Sequence, residues 1–287
     1  MAKRVGLGAV LRKIASEKDP EKVTSIVDAI DKACSEGITS VGAFSVIGMQ
    51  RSCKKMSELL TDFKREEFFV EFFKMYNLAM APDMRARNVF HPSQLMEDCP
   101  RKLTYDLMGV APTDVRSRVI SGSLQRVFDV GTWYHVYIQN ILYQLGLLEQ
   151  AEVPVVNPER YLNGKADGVF KKEVFGCKTV LEIKTMNSFI YGRAIFKPFK
   201  KHEFQASLYA RELGAEKVLY LYINKDTSEI KQFLEPLNEE MLDTADKKME
   251  SIISHMKKET LPARKCSDKM CDAAIECPFS TLCFTKK

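Results

Sequence analysis

The sequence has no stretch that reads as a membrane span. Its longest uncharged run, 130–148, is long enough but carries His135, Gln139, Asn140 and Gln144, groups that hydrocarbon accepts only at a cost. That run reads instead as a buried helix with a functional polar face. There is no GxxxxGK[ST] phosphate loop, so no ATP motor is encoded and any helicase working with this chain is another chain. Repeats at solenoid periods and low-complexity segments are also missing. The N-terminal stretch MAKRVGLGAVLRKIASEK is basic with a short apolar run, but lacks the h-region and cleavage site of a secretory signal. A basic helix is expected there, with an organelle-targeting segment as the alternative, and the location expected is cytoplasmic: bacterial, or host cytoplasm for a phage protein. What remains is ordinary globular material: 287 residues, 45% apolar and 28% charged, enough for one elaborated domain or two. Lys and Arg number 43 against 38 Asp and Glu, a net charge of +5 that permits a polyanionic partner without naming one.

Paired CxxC knuckles are missing too, although eight cysteines are present. Cys34, Cys53 and Cys177 stand alone and read as small buried hydrophobes. Cys266, Cys271, Cys277 and Cys283 crowd into the last 22 residues as C-x4-C-x5-C-x5-C. Clustered thiols without a secretory signal bind metal more often than they form disulfides. The spacing departs from that of structural zinc sites, while Cys277-Pro278 is a pairing that recurs in iron–sulfur ligation. On spacing alone, zinc and iron–sulfur both stay open.

Along the chain, residues 1–86 read as helical. Asp19-Pro20 offers an N-cap and first-turn pair, Val23, Ile26, Val27 and Ile30 one apolar stripe, and Gly37 a stop. A second helix is expected over 62–77, where Phe69, Phe72, Phe73 and Tyr76 share a face. After Ala81-Pro82, the segment HPSQLMEDCPRKLTYDLMG (91–109) offers Ser93 as a cap, Pro100 as the opening of a further helix and Gly109 as its end. A long helix over 123–145 stops at Gly146. Strands follow at 152–157, 164–170 and 179–186, then a helix over 203–213, strands at 217–224 and 229–237 about the turn 225–228, and a polar helix over 238–258. KKEVFGCK (171–178) reads as a hairpin connection. This order predicts a mixed α/β (α+β) domain.

Chemistry concentrates on the third strand. Alternation puts Glu182 and Lys184 on one face and Leu181 and Ile183 on the other. The bland reading is an exposed ion pair. Antiparallel pairing of the second and third strands brings Asp167 beside Glu182, and two adjacent carboxylates repel unless a cation neutralises them. Their hard oxygens, with a backbone carbonyl, suit Mg²⁺ or Mn²⁺, which can activate water and stabilise charge on a phosphoryl oxygen. Lys184 then supplies charge to the phosphate. His135 lies one turn after Gly131, where a missing side chain lets another backbone or a ligand approach; alone it reads as a satisfied core histidine. Gln205 and Tyr209, one turn apart, are candidate donors to a phosphodiester. From Lys184 to Lys201 the chain carries Lys184, Arg193, Lys197, Lys200 and Lys201 and no acidic residue, with Phe189, Tyr191, Phe196 and Phe199 interleaved. Cations with aromatic faces are what a single-strand channel needs.

GTWYH (131–135), GKAD (164–167), EIK (182–184) and QASLY (205–209) together resemble, in order and spacing, the RecB-type PD-(D/E)XK nucleases. SQLMEDCPRKLTY (93–105) is similar to the first-cysteine motif of their iron–sulfur branch, which includes CRISPR-associated adaptation exonucleases and AddB-type nuclease domains. The resemblance covers about residues 91–287. It implies a restriction-endonuclease-like central mixed sheet flanked by helices: a nuclease domain over 87–287, following a helical region 1–86 of unknown role. It further implies a [4Fe–4S] cluster on Cys99, Cys271, Cys277 and Cys283, with Cys266 the alternative to Cys271 and Zn²⁺ the alternative occupant. His135, Asp167, Glu182 and the Ile183 carbonyl become ligands of the catalytic Mg²⁺ or Mn²⁺, Lys184 the catalytic lysine, and Gln205 and Tyr209 site-stabilising residues that contact DNA. Arg193, Lys197, Lys200, Lys201 and Tyr191 are the expected DNA contacts. The function implied is a single-strand-preferring DNA exonuclease of recombination, repair or spacer acquisition, acting on free ends, with a helicase or recombination chain as the candidate partner and an oligomer as the candidate assembly. The alternative is a non-catalytic nucleic-acid-binding subunit with a structural metal clip.

Overall fold

The computed structural model describes residues 25–35, 66–67, 88–96, 99–114 and 122–285. The signals at Asp19-Pro20 and Gly37 and the aromatic stripe within 62–77 lie outside them. Five strands, β1 (Leu148–Asn157), β2 (Leu162–Phe170), β3 (Thr179–Met186), β4 (Lys217–Asn224) and β5 (Ile230–Pro236), form one sheet in the order β1-β2-β3-β4-β5. The β3–β4 pair is parallel and the other pairs are antiparallel. The sheet is therefore mixed and β3 is its middle strand.

Helices cover both faces. On one lie α1 (Ile26–Ser35) and α4 (Gly122–Gln144), packed on Leu181, Ile183, Leu219, Leu221 and Ile223. On the other lie α2 (Pro92–Leu95), α3 (Pro100–Leu107), α7 (Lys200–Glu212) and α8 (Glu239–Lys257), against Val180, Met186, Val218, Tyr220 and Tyr222. The two apolar sets alternate along β3 and β4, which is why both strands read as nearly continuous hydrophobic runs. Ile26 and Ile30 are fully buried against α4 and the sheet, so part of the N-terminal region belongs to this core. Asn238 opens α8 by accepting the Met241 N–H at 3.1 Å, and Glu239 and Glu240 favour the positive end of its dipole.

Most expected boundaries agree to within a few residues, and Gly109, Gly146 and Gly214 end helices at positive φ. Three expectations need correction. Ser93 does not cap a helix: α2 begins at Pro92, with His91 in the capping position, because proline's fixed φ suits the first turn. The link between β2 and β3 is not a plain hairpin but holds a short helix, α5 (Lys172–Phe175), closed by Gly176 at φ +73°. β1 begins four residues earlier than expected, with a register shift between Leu148 and Gln150.

Candidate active site

The β2–β3 ladder runs from Phe170↔Thr179 to Gly168↔Leu181. One more step in that register sets Asp167 opposite Glu182, and there the main-chain pairing ends. The Asp167 carboxylate instead takes the Ile183 N–H, 2.6 Å from Oδ2. On the other side, β1 pairs Ala151 with Gly168 and Val153 with Ala166 but passes over Glu152 and Asp167. Glu152 has φ +53°, a left-handed backbone that costs a side-chain-bearing residue about 1–3 kcal/mol. Asp167 is thus released from both ladders. The buried Gln139 side chain stitches the break, its Nε2 donating to the Asp167 carbonyl at 2.9 Å and to Glu152 Oε1 at 2.6 Å. Lys165 pairs with the same Glu152 carboxylate. Sequence reasoning placed Gln139 on a polar helix face without assigning it a partner, and nothing in the sequence marked Glu152.

Opposite charges interleave at this fork. His135 Nδ1 lies 3.2 Å from Asp167 Oδ1, and Lys184 Nζ 2.6 Å from Glu182 Oε1. The second contact pairs a Glu182 side chain that is only 1% exposed with the one ammonium beside it. Burial, against the pull of Lys184 and with the push of Asp167, raises the Glu182 carboxyl to about 7. Asp167 moves the other way: burial alone would raise it, but His135, Lys184 and the Ile183 N–H hold it below its ordinary value. Asp167 in turn raises His135 against the effect of burial, and Glu182 and Asp167 raise Lys184 likewise. Gly131 does admit a close neighbour: a Cβ there would meet Thr185 Oγ1 of β3 at 3.3 Å, so α4 crosses the sheet tightly just before His135.

From α7, Gln205 Oε1 accepts from Lys184 Nζ at 3.4 Å. Tyr209 interacts with Gln205 and the Lys165 backbone, and burial beside Glu182 and Asp167 pushes its phenol up, so it stays a donor. A Cβ on Gly164 would lie 2.6 Å from Tyr209 Cε1, which gives the glycine of GKAD its reason. The Tyr222 hydroxyl accepts the Phe199 N–H at 2.8 Å and lies 2.6 Å from His202 Nδ1. Burial, reinforced by Lys184 and Lys201, pushes His202 down to about 3, so it stands neutral.

His135, Asp167, Glu182, Ile183, Lys184, Gln205 and Tyr209 are therefore brought together. The expected DNA contacts divide. Arg193, Lys197, Lys200 and Lys201 are exposed. Tyr191 is a correction: its ring is buried beneath Lys231, whose Nζ lies 4.1 Å from the ring centre, so it offers no face to a base.

A separate cavity of about 760 Å³ is lined by Cys99, Cys266, Cys277 and Cys283 with Arg101, Lys102, Arg264 and Lys265. Cys266 interacts with Cys271, Cys99 and Cys277, and burial with these neighbours raises its thiol to about 11. Arg101 reaches across, Nη1 to Cys283 Sγ at 3.7 Å and Nε to the Pro262 carbonyl at 2.8 Å. The tail is also fastened without sulfur. The Pro278 carbonyl accepts the N–H groups of Thr113 and Asp114, and the Asp114 carboxylate accepts the Thr281 N–H and hydroxyl at 2.6 and 2.5 Å. Among the described residues, no three His, Cys, Asp or Glu side chains are grouped so as to hold a metal ion. No helix among them is long and apolar enough to cross a membrane.

No family model and no curated protein matches the chain. Solved structures similar to it include SSO0001, at 22% identity and TM-score 0.42, covering 80% of this chain and 98% of that one. An alkaline exonuclease (LHK-Exo) from Laribacter hongkongensis is similar at 13% identity and TM-score 0.45, covering 60% of this chain and 89% of that one. A complex of LHK-Exo with dAMP is similar at 14% identity with the same TM-score and coverage. What the site can do is read from its own atoms.

Proposed function

We propose that the chain is a metal-dependent deoxyribonuclease that hydrolyses phosphodiester bonds, with single-stranded or free-ended DNA as its substrate and recombination, repair or spacer acquisition as its setting. The observation that carries this reading is the fork itself: a buried glutamate whose Oε1 meets the Lys184 ammonium, beside a second carboxylate freed from both ladders. A fold does not leave such a pair between β2 and its middle strand for stability, because each buried charge costs several kcal/mol to desolvate. Hard oxygen donors and an imidazole suit a divalent cation in kind, and His135, Asp167, Glu182 and the Ile183 carbonyl would hold it once the side chains give up their present pairings with one another and with Lys184. When bound, Mg²⁺ or Mn²⁺ supplies an activated water and charge stabilisation at the phosphoryl oxygen. The remaining work falls to the chain. Lys184, steadied by Gln205, sets its ammonium against the phosphate. Tyr209, kept protonated, donates to the strand backbone.

The tail thiols form the second proposed metal site, with a [4Fe–4S] cluster or, alternatively, Zn²⁺ as occupant. Thiols are the donors such an ion takes, and Cys266, raised by burial and by Cys271, Cys99 and Cys277, would give up its proton to the bound cation.

The test is hydrolysis of end-labelled single-stranded DNA with and without Mn²⁺. Wild-type protein is expected to degrade it only with the metal, and Glu182→Ala or Lys184→Ala to lower the rate by about a hundred- to a thousand-fold while leaving the folded state intact. Full activity in both variants would overturn the site. Metal-independent binding without hydrolysis would leave a non-catalytic subunit.

A further inference from the structure

The segment from Asn187 to Phe199, which holds the short helix α6 (Ser188–Arg193), follows β3 just after Lys184 and leads into α7 just before Gln205, so both of its ends are flanked by site residues. Its base is pinned. Asn187 accepts the Ile190 N–H, Asp226 accepts the Ser188 N–H, and Lys231 Nζ donates to the carbonyls of Tyr191 and Ala194 at 3.1 Å each. Some of its side chains are bare. Phe196 is 88% exposed, more than any other large hydrophobic residue among those described, and Phe189, beside the pinned Ser188, and Ile195 are 74% and 63% exposed. Two rings held in water on a firmly anchored segment forgo burial that the fold gives to almost every other ring.

The charge around them narrows the occupant. Arg193 lies 5.9 Å over the Phe189 ring, Lys197, Lys200 and Lys201 are exposed, and no acidic residue occurs between 187 and 202. A second copy of this chain would bring the same cationic patch to a two-fold contact and be repelled. Two rings and an isoleucine are also far short of the roughly 1,000 Å² that a stable protein interface buries. Polyanion phosphates answer the cations, and unpaired bases answer the rings, since every base has a face to stack while bases in a duplex keep theirs covered.

We propose that Phe189 and Phe196 are the stacking residues of a finger that selects unpaired nucleotides and leads their strand to the fork. This deepens the nuclease reading and rests on it for the direction of the strand, but the test reads binding, not hydrolysis. The full-length chain is titrated in EDTA into fluorescently labelled oligodeoxythymidylate and into a blunt hairpin duplex, followed by anisotropy. Phe189→Ala with Phe196→Ala is expected to weaken single-strand binding about ten-fold or more and to leave the hairpin unchanged. Phe196→Tyr is expected to keep the affinity and Phe196→Leu to lose it, because stacking needs a π face; Val156→Ala, an exposed apolar change on β1, is expected to do nothing. Equal affinity of the double variant and wild type, full affinity in Phe196→Leu, or the same loss on both probes would each overturn the finger. So would a wild-type chain that does not bind oligodeoxythymidylate. Binding that discriminates as expected without Mn²⁺-dependent hydrolysis would retain the finger and reject the nuclease; hydrolysis without discrimination would do the reverse.

Discussion

The fork and the cysteine tail both gather titratable groups, and they do so in opposite ways. At the fork, His135 and Lys184 alternate with Asp167 and Glu182 at 2.6–3.2 Å; Asp167, His135 and Lys184 are each shifted toward charge by a partner of opposite sign, while burial and the neighbouring Asp167 raise Glu182. In the tail, Cys266 is shifted by burial and by other thiols, and Cys277 likewise by burial, with Lys102 opposing and Cys99 and Cys283 adding to it. The fork balances its own charge and can wait for a substrate. In the tail, burial and neighbouring thiols hold Cys266 and Cys277 protonated, so an incoming cation would have to displace their protons. Clustering of titratable residues is therefore not one signal but two, and the sign of the neighbours separates them.

The strongest way to break this contrast is Cys277→Ser. Loss of one ligand is expected to strip iron, or zinc, from the purified protein and to lower Tm by roughly 10 °C or more, since metal binding at a structural site is folding free energy. Mn²⁺-dependent hydrolysis per folded molecule should persist. Metal analysis, visible absorbance and calorimetry check it, and an unchanged Tm with no metal in the wild-type protein would remove the tail from the comparison.

The fork is sharpened by pH. Glu182 is raised from 4.5 to about 7, so its folded form holds a proton that the unfolded chain releases, and its contribution to stability is lost as pH rises through that window. His202 is lowered from 6.5 to about 3, and its contribution is lost as pH falls between those values. Each slope approaches about 1.4 kcal/mol per pH unit at most. Denaturant titrations across this range should show Glu182→Gln removing the alkaline-side decline and His202→Gln the acid-side one. Parallel curves for wild type and both variants would contradict the two environments. The smallest effect expected is that of Gly164→Ala, about 1–3 kcal/mol from a Cβ forced against Tyr209, with the change in hydrolysis exceeding the change in stability if Tyr209 is displaced.

Much of this was legible because period and register are local. β3 and β4 announce themselves by continuous apolar runs, and Asp167 falls opposite Glu182 once β2 and β3 pair through Gly168 and Leu181. Helix ends at Gly109, Gly146 and Gly214 follow from the φ those glycines adopt. What could not be read depends on three-dimensional closure. Tyr191 looks like its exposed neighbours Phe189 and Phe196, and only Lys231, arriving from β5, determines that its ring is covered. Gln139 has no visible partner until β1 and β2 skip a residue together. Glu152 adopts its left-handed backbone where those ladders break, which no spacing rule announces.

The clasp between Asp114 and the 278–281 stretch uses no sulfur, and this bears on how an ion could be lost and regained. With Thr281 and Pro278 tied to 113–114, Cys277 and Cys283 are held near Cys99 whether or not an ion is bound. For the proposed cation, binding would then be an encounter with ligands already tethered, at an effective concentration on the order of millimolar.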